Sequence, residues 1–263
     1  MSLRIAGPLA LGLLAIMVPA AMARAAPQTR EQQIELLKEI DLRQHNAGDY
    51  RSMIYMEQKE KDKVDVVYQA EVLRRTSDQA FVILFLKPKS SQGQGYLRIE
   101  QNLWFYDPSV GRWERRTERE RIGGTNSRRS DFDESRLAIE YDPSYDGEGA
   151  LGQYKTWQLT LKGKDGVDVA FPVVKVWIDQ ETHNVLKRQE FALSGRLVRT
   201  SYYPKWSKIY SESKNADLWF PQEIRFFDEI EKANSTHILI QSVDLKPLPT
   251  NVFTKAWLEG KTR

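Results

Sequence analysis

The chain contains no cysteine, and that single absence removes disulfides, thiolate nucleophiles and Cys-ligated metals together. It also excludes a lipid anchor on an N-terminal Cys. Histidine is scarce, with only His45, His183 and His237. They fall in a helix end, a turn and a strand, so nothing in their spacing gathers them for catalysis. Charge of one sign is lacking as well: 39 basic residues less Arg4 and Arg24 leave 37 against 36 acidic ones. Such a balance argues against general nucleic-acid binding, which normally carries a marked basic excess. There is no His-Glu-x-x-His, no Gly-x-Ser-x-Gly, no phosphate loop and no dinucleotide fingerprint. "IGGTNS" at residues 122–127 has the glycines of a phosphate loop but neither its lysine nor its helix, and it reads as a plain loop. The acidic stretch carrying Asp142, Asp146 and Glu148 does not follow EF-hand spacing. No metal, cofactor or catalytic residue is therefore assigned. No repeat of constant period is present, which weighs against a propeller or solenoid.

Long apolar runs are also few. The run Ile5–Val18 follows a basic start and precedes the small residues "PAAMARAA", with A-x-A sites ending at Ala23 and Ala25. It is shorter than the roughly 20 residues of a spanning helix. The pattern predicts a secretory signal peptide over residues 1–25 and a single exported domain over 26–263, in the periplasm.

What the chain has is alternation. A capping box, Thr29 and Gln32, opens an amphipathic helix "TREQQIELLKEIDLRQHN" whose stripe is Ile34, Leu36, Leu37 and Ile40. From Tyr50 onward the apolar period is two. Eleven segments read as strands: "VDVVYQAEVLRR", "QAFVILFLKP", "GYLRIE", "LWFYD", "RWERRTERERI", "KTWQLTLKGK", "FPVVKVWID", "VLKRQEFAL", "RLVRTSYYP", "LWFPQEIRFFDEI" and "THILIQSVDL". Short turns rich in Gly, Asn and Asp separate them. The fold class that follows is mainly β with a few helices, built on one large antiparallel sheet, curled or closed. Two stretches interrupt it. "RSDFDESRLAIEYDPSYDGEGALG" predicts a short helix near Asp131–Ala138, capped by Ser130, and then an acidic Gly-rich loop; "PLPTNVFTKAWLEGK" predicts a final helix presenting Phe253 and Trp257.

A turn at Gln101 and Asn102 would pair Ile99 with Trp104 and Leu97 with Tyr106, making one face apolar. Trp157, Leu159 and Leu161 alternate similarly, as do Val174, Val176 and Ile178. Such a face is either filled by helices and facing strands or left as the wall of a hydrophobic cavity, and periodicity alone does not choose. The run "ERRTERER", Glu114–Arg121, also has two readings. It is a charged edge strand that resists aggregation, or Arg115, Arg119 and Arg121 form a docking surface for lipid head groups or a membrane transporter, aided by Arg128 and Arg129.

"GYLRIEQNLWFYDPSVGRWERR" resembles the strand-turn-strand of the LolA-type periplasmic lipoprotein carriers, with their Leu-Trp-aromatic-Tyr-Asp/Asn-Pro signature. "FLKPKSSQGQGYL", "RRSDFDESRLA", "VKVWIDQETHNVLKRQEF", "LWFPQEIRFFD" and "PLPTNVFTKAWLE" are similar, in order, to the longer LolA-like group of outer-membrane lipoprotein-sorting proteins. The resemblance implies an incomplete, half-open β-barrel capped by short helices. It also implies a monomeric carrier whose cavity holds the acyl chains of a lipoprotein or lipid, between an inner-membrane transporter and an outer-membrane acceptor. The cavity wall would be Leu97, Ile99, Trp104, Tyr106, Trp157, Leu159, Leu161, Val174, Val176 and Ile178. The chain is longer than the classical carrier, and no arginine here matches that family's lid-locking one. An accessory or sensor protein on the same fold, regulating an envelope transporter or signalling system, is the alternative.

Overall fold

Two antiparallel meanders meet edge to edge. The computed structural model describes residues 25–45, 48–117, 119–133 and 135–261. The run Ile5–Val18 and the site at Ala23 lie outside them. The first meander comprises β1 (Tyr50–Lys59), β2 (Val66–Arg75), β3 (Ala80–Lys87), β4 (Gly95–Ile99), β5 (Asn102–Asp107) and β6 (Arg112–Arg116). The second comprises β7 (Tyr141–Leu151), β8 (Tyr154–Gly163), β9 (Val173–Asp179), β10 (Val185–Phe191), β11 (Leu197–Ser211), β12 (Ala216–Asp228) and β13 (Ser235–Asp244). Pairing of β1 with β13 joins them into one curved sheet of 13 strands, with β6 at one edge and β7 at the other. The edges do not pair, so the barrel stays incomplete.

Helix α1 (Arg30–His45) begins at the expected capping box: the Thr29 amide donates to Gln32 Oε1 at 3.0 Å and the Gln32 amide donates to Thr29 Oγ1 at 3.3 Å. Its Leu36, Leu37 and Ile40 are buried against β7–β10. Between the two meanders the chain crosses the open side as a pair of 3-10 turns, Ile122–Gly124 and Arg129–Asp131, followed by the one-turn helix α2 (Leu137–Glu140). Helix formation is thus shorter and later than expected, because Asp41 of α1 caps it: Asp41 Oδ1 accepts from the Leu137 amide at 3.0 Å and Oδ2 from the Ala138 amide at 2.8 Å. After β13, a 3-10 turn (Thr250–Phe253) and helix α3 (Lys255–Gly260) close the chain, with Thr254 Oγ1 accepting from the Trp257 amide at 3.1 Å.

Expectations about the sheet change as well, beginning with β1, which is not among the eleven expected segments. The acidic "YDPSYDGEGAL" is strand β7, not a loop; at an edge its Pro143 costs no ladder bond to an outer neighbour, and its exposed acids guard that edge. The stretch after Arg116 leaves the sheet, so β6 covers only the first half of the charged run. The β4–β5 turn falls at Glu100 and Gln101, pairing Ile99 with Asn102 and Leu97 with Trp104. A two-residue slip of this kind keeps every side chain on its original face.

That face is the outer one. Leu97 and Tyr106 pack with Leu73, Val82 and Leu84 against Val252, Phe253 and Leu258 of the C-terminal segment. Lys255 Nζ lies 3.7 Å from the centroid of the Trp104 ring, and Ile99 is partly exposed. The opposite, concave face carries two apolar clusters. One is under α1 and includes Trp157, Leu159, Leu161, Val174, Val176 and Ile178; the other spans β1–β5, β12 and β13 around Phe81, Phe85 and Phe226.

Candidate functional site

Between those two inner clusters the concave face stays open as a cleft of about 710 Å³. Its size falls within the range of small-ligand sites. One part of the wall is apolar. Ile54, Val72, Ile224, Phe226, Ile238 and Ile240 project inward from β1, β2, β12 and β13 by the period-two rule. Trp206, Trp219, Phe220 and Pro221 extend this wall from a long β11–β12 hairpin. Its partners stop early: β10 pairs with β11 only as far as Tyr202, and β12 pairs with β13 only over Glu223–Phe227. The outer half of the hairpin therefore reaches beyond the sheet as an aromatic arm. It curls toward α1, and Phe220 meets Tyr50 edge-on with ring centroids 5.5 Å apart.

The rest of the wall is ionic. Behind it Arg199, almost wholly buried, is the anchor. Its guanidinium donates to Glu190 Oε1 at 2.9 Å, to Asp131 Oδ2 and Oδ1 at 2.7 and 2.8 Å, and to the Asn126 carbonyl at 3.1 Å, while a further bond joins Nε to Glu190 Oε2. Its guanidinium carbon lies over the rings of Phe226 and Phe171, 4.9 and 5.5 Å from their centroids. In this way β10 and β11 hold the crossing segment against the sheet. Around this anchor Arg188 pairs with Glu190 at 2.9 Å, and Arg98 and Arg129 pair with Asp133 at 3.2 and 3.1 Å. Arg74 donates to the Asp133 carbonyl at 3.3 Å, and Arg136 pairs with Glu140 at 3.4 Å. Among the described residues this belt has two layers: Arg74, Arg98, Arg129, Arg136 and Arg188, with Asp131, Asp133 and Glu140, line the cleft, while Arg128, Arg199, Asp41 and Glu190 support them from behind.

Burial pushes Glu190 toward protonation, yet Arg199 and Arg188 outweigh it and hold the carboxyl below the ordinary glutamate value. At Asp133 the balance reverses: burial raises the carboxyl despite Arg98 and Arg129. Burial also lifts the Tyr141 and Tyr203 hydroxyls to about 12, so both stay neutral donors in the cleft. A smaller opening of about 460 Å³ lies toward the β6 edge, lined in part by Tyr68, Phe85, Tyr96 and Phe105.

None of the ten residues expected to form the cavity wall borders the main cleft. Leu97, Ile99, Trp104 and Tyr106 lie on the outer face, and Trp157, Leu159, Leu161, Val174, Val176 and Ile178 are covered by α1. The three arginines separate too. Arg115 is exposed opposite Trp104 on the outer face, Arg119 sits at the rim of both openings with Asp168 at 3.9 Å, and Arg121 is bound to the Thr125 carbonyl at 2.9 Å. The residues that do form the wall carried a readable signal in part: "LWFPQEIRFF" and "THILIQ" alternate as strongly as the segments chosen. Nothing in sequence marks the arginines at 129, 188 and 199 as neighbours.

His183 bonds to Glu39 at 2.7 Å and His237 to Glu223 at 2.9 Å, in separate regions. Among the described residues no three His, Asp or Glu side chains are grouped to hold a metal, and no helix is long and apolar enough to cross a membrane.

A family model described only as that of an uncharacterised protein matches residues 77–260. Among solved structures, a LolA superfamily protein of Nitrosomonas europaea shares the fold with a TM-score of 0.70 and 21% identity, over 89% of this chain and 100% of its own. A putative outer-membrane lipoprotein-sorting domain of Vibrio parahaemolyticus aligns at TM-score 0.74 and 17% identity, over 88% and 100%. A DUF1329 family protein of Desulfovibrio piger aligns at 0.77 and 17%, over 89% and 100%. No curated protein matches the chain in sequence.

Proposed function

Because the chain belongs to the family of uncharacterised proteins whose model it matches, and its fold is LolA-like, we propose that it is a periplasmic carrier that binds acyl chains in the concave cleft. The observation that carries this reading is the cleft itself: an apolar wall left open between two packed clusters, with an aromatic arm over its mouth. Each CH2 moved from water into such a wall gains roughly 0.8 kcal/mol, so acyl chains supply ample affinity. Release is the harder step, and an open sheet with a projecting hairpin suits it better than a closed barrel does. In this reading an inner-membrane transporter loads the cleft and an outer-membrane acceptor empties it. No step of chemistry is assigned to the protein. The signal peptide over residues 1–25, cleaved on export, and the monomeric domain from residue 26 belong to the same proposal.

Organic-solvent extraction of protein purified from its native envelope, followed by mass spectrometry, tests it. Acyl lipid near one equivalent, transferable to acceptor vesicles, is the expected result. An empty cleft, together with failure of the delipidated protein to bind a fluorescent fatty-acyl probe at micromolar concentration, would favour the accessory or sensor role.

A further inference from the structure

The aromatic arm is built to pivot. At its base, residues 199–202 of β11 pair in regular register with residues 225–228 of β12, and farther out residues 207–211 pair regularly with residues 216–220. Between these stretches the ladder slips twice. Tyr203 and Pro204 stand opposite the single Ile224, and Gln222 is an extra residue between Glu223, the partner of Lys205, and Pro221, the partner of Trp206. Bulges bend a strand and interrupt its ladder, and neither proline has an N–H to give to it. The flanking strands stop at the same level, β10 at Tyr202 and β13 opposite Glu223, so among the described residues no third strand braces the joint. Below the joint Arg199 ties β11 to Glu190 and Asp131; above it Phe220 seats edge-on against Tyr50. At the joint itself Trp206 Nε1 is buried with no hydrogen-bond partner among the described residues. A buried donor of this kind raises the free energy of the seated position, and lifting the arm returns it to water.

We propose that residues 206–221 form a hinged strap, which pivots on the joint at Pro204 and Gln222 and passes the cargo between Phe220 and Tyr50. This inference rests on the acyl-binding reading above and gives it a moving part. The base of the hairpin stays fixed on Arg199, so the strap swings as one ribbon held together by its own regular ladder.

Because the chain has no cysteine, thiols placed in pairs report on the strap alone. Tyr50→Cys with Phe220→Cys is bridged by a short bis-methanethiosulfonate linker, and exchange of a fluorescent fatty-acyl probe with acceptor vesicles is timed before and after reduction. Bridging is expected to slow both uptake and release by about tenfold or more, with full recovery on reduction. Ser211→Cys with Ala216→Cys, which joins opposite residues within the strap, should exchange at an unchanged rate when bridged. Equal rates in the bridged and reduced Tyr50–Phe220 variant would overturn the strap while leaving the acyl carrier standing, and so would equal slowing by the bridge within the strap. Failure of the unaltered chain to bind the probe would overturn the carrier reading instead. Spin labels on Lys38→Cys and Ser213→Cys, both exposed positions, decide the hinge independently of probe binding and of how the first variant folds. Two populations of distance are expected in the delipidated protein, and a single narrow distance contradicts the strap.

Discussion

Replacing Arg199 by Met is expected to cost about 3–5 kcal/mol of stability, the range for removing one partner of a buried ion pair. The loss arises less from the missing attraction than from what remains. Glu190 and Asp131 would face each other across the vacated space, with only Arg188 and Arg128 to offset them. Phe226 and Phe171 would also lose the guanidinium that lies over their rings. Urea unfolding followed by tryptophan fluorescence measures the change, and a further substitution of Glu190 by Leu with Asp131 by Asn should recover part of it. A change below about 1 kcal/mol would mean that the network contributes no more than a surface pair. The same network sets a direction with pH. Glu190 is held below its ordinary value, so its contribution is present above about pH 4.3, the usual glutamate midpoint, and is lost as pH falls through the lower folded value. Arg199→Met should remove much of that acid dependence.

Leu258→Ala should cost about 2–5 kcal/mol, as for other wholly buried leucines. Leu258 is fully buried under the outer face. There it meets Gly95, where an added Cβ would come within 3.0 Å of a Leu258 methyl and 2.7 Å of the Ile83 carbonyl. The C-terminal segment therefore seats on a strand that has room for no side chain at that point. Around it Trp113 Nε1 donates to Glu259 at 2.6 Å, and the Tyr106 and Trp113 rings meet at a tilt of 32° with centroids 4.9 Å apart. Thermal unfolding reads the cost. Since this packing lies on the side of the sheet away from the cleft, the loss should appear in stability and not in ligand affinity.

Leu97 and Trp104 illustrate what alternation makes legible. Their shared face, the strand order along the chain and the capping box at Thr29 are all readable, because period, turn residues and local capping are properties of short segments. Which side of a curved sheet becomes the concave one is a different matter. That is decided by where α1 and the C-terminal segment land, and those contacts join residues far apart in sequence. Hence an apolar face built from Leu97 and Tyr106 turned out to be the floor of a helix seat. β7 was hidden for a related reason: an edge strand tolerates acids, glycine and proline that a central strand excludes, so its composition imitates a loop. The arginine belt was invisible because its members come from β2, β4, β10, β11 and the crossing segment, and only the folded sheet brings them together.

The most direct test of the account compares the two faces of the sheet in one binding measurement. Delipidated protein is titrated with a fluorescent fatty-acyl probe as the unaltered chain, as Phe220→Ala and as Leu97→Ala. Phe220 borders the cleft, whereas Leu97 is packed beneath the C-terminal segment. Removing a ring that covers on the order of 50 Å² of acyl chain, at roughly 25 cal/mol per Å², weakens binding about tenfold. The concave cleft as the acyl site predicts that loss in Phe220→Ala and an unchanged affinity in folded Leu97→Ala. Weakened binding in Leu97→Ala with none in Phe220→Ala would contradict it and place the ligand elsewhere on the sheet.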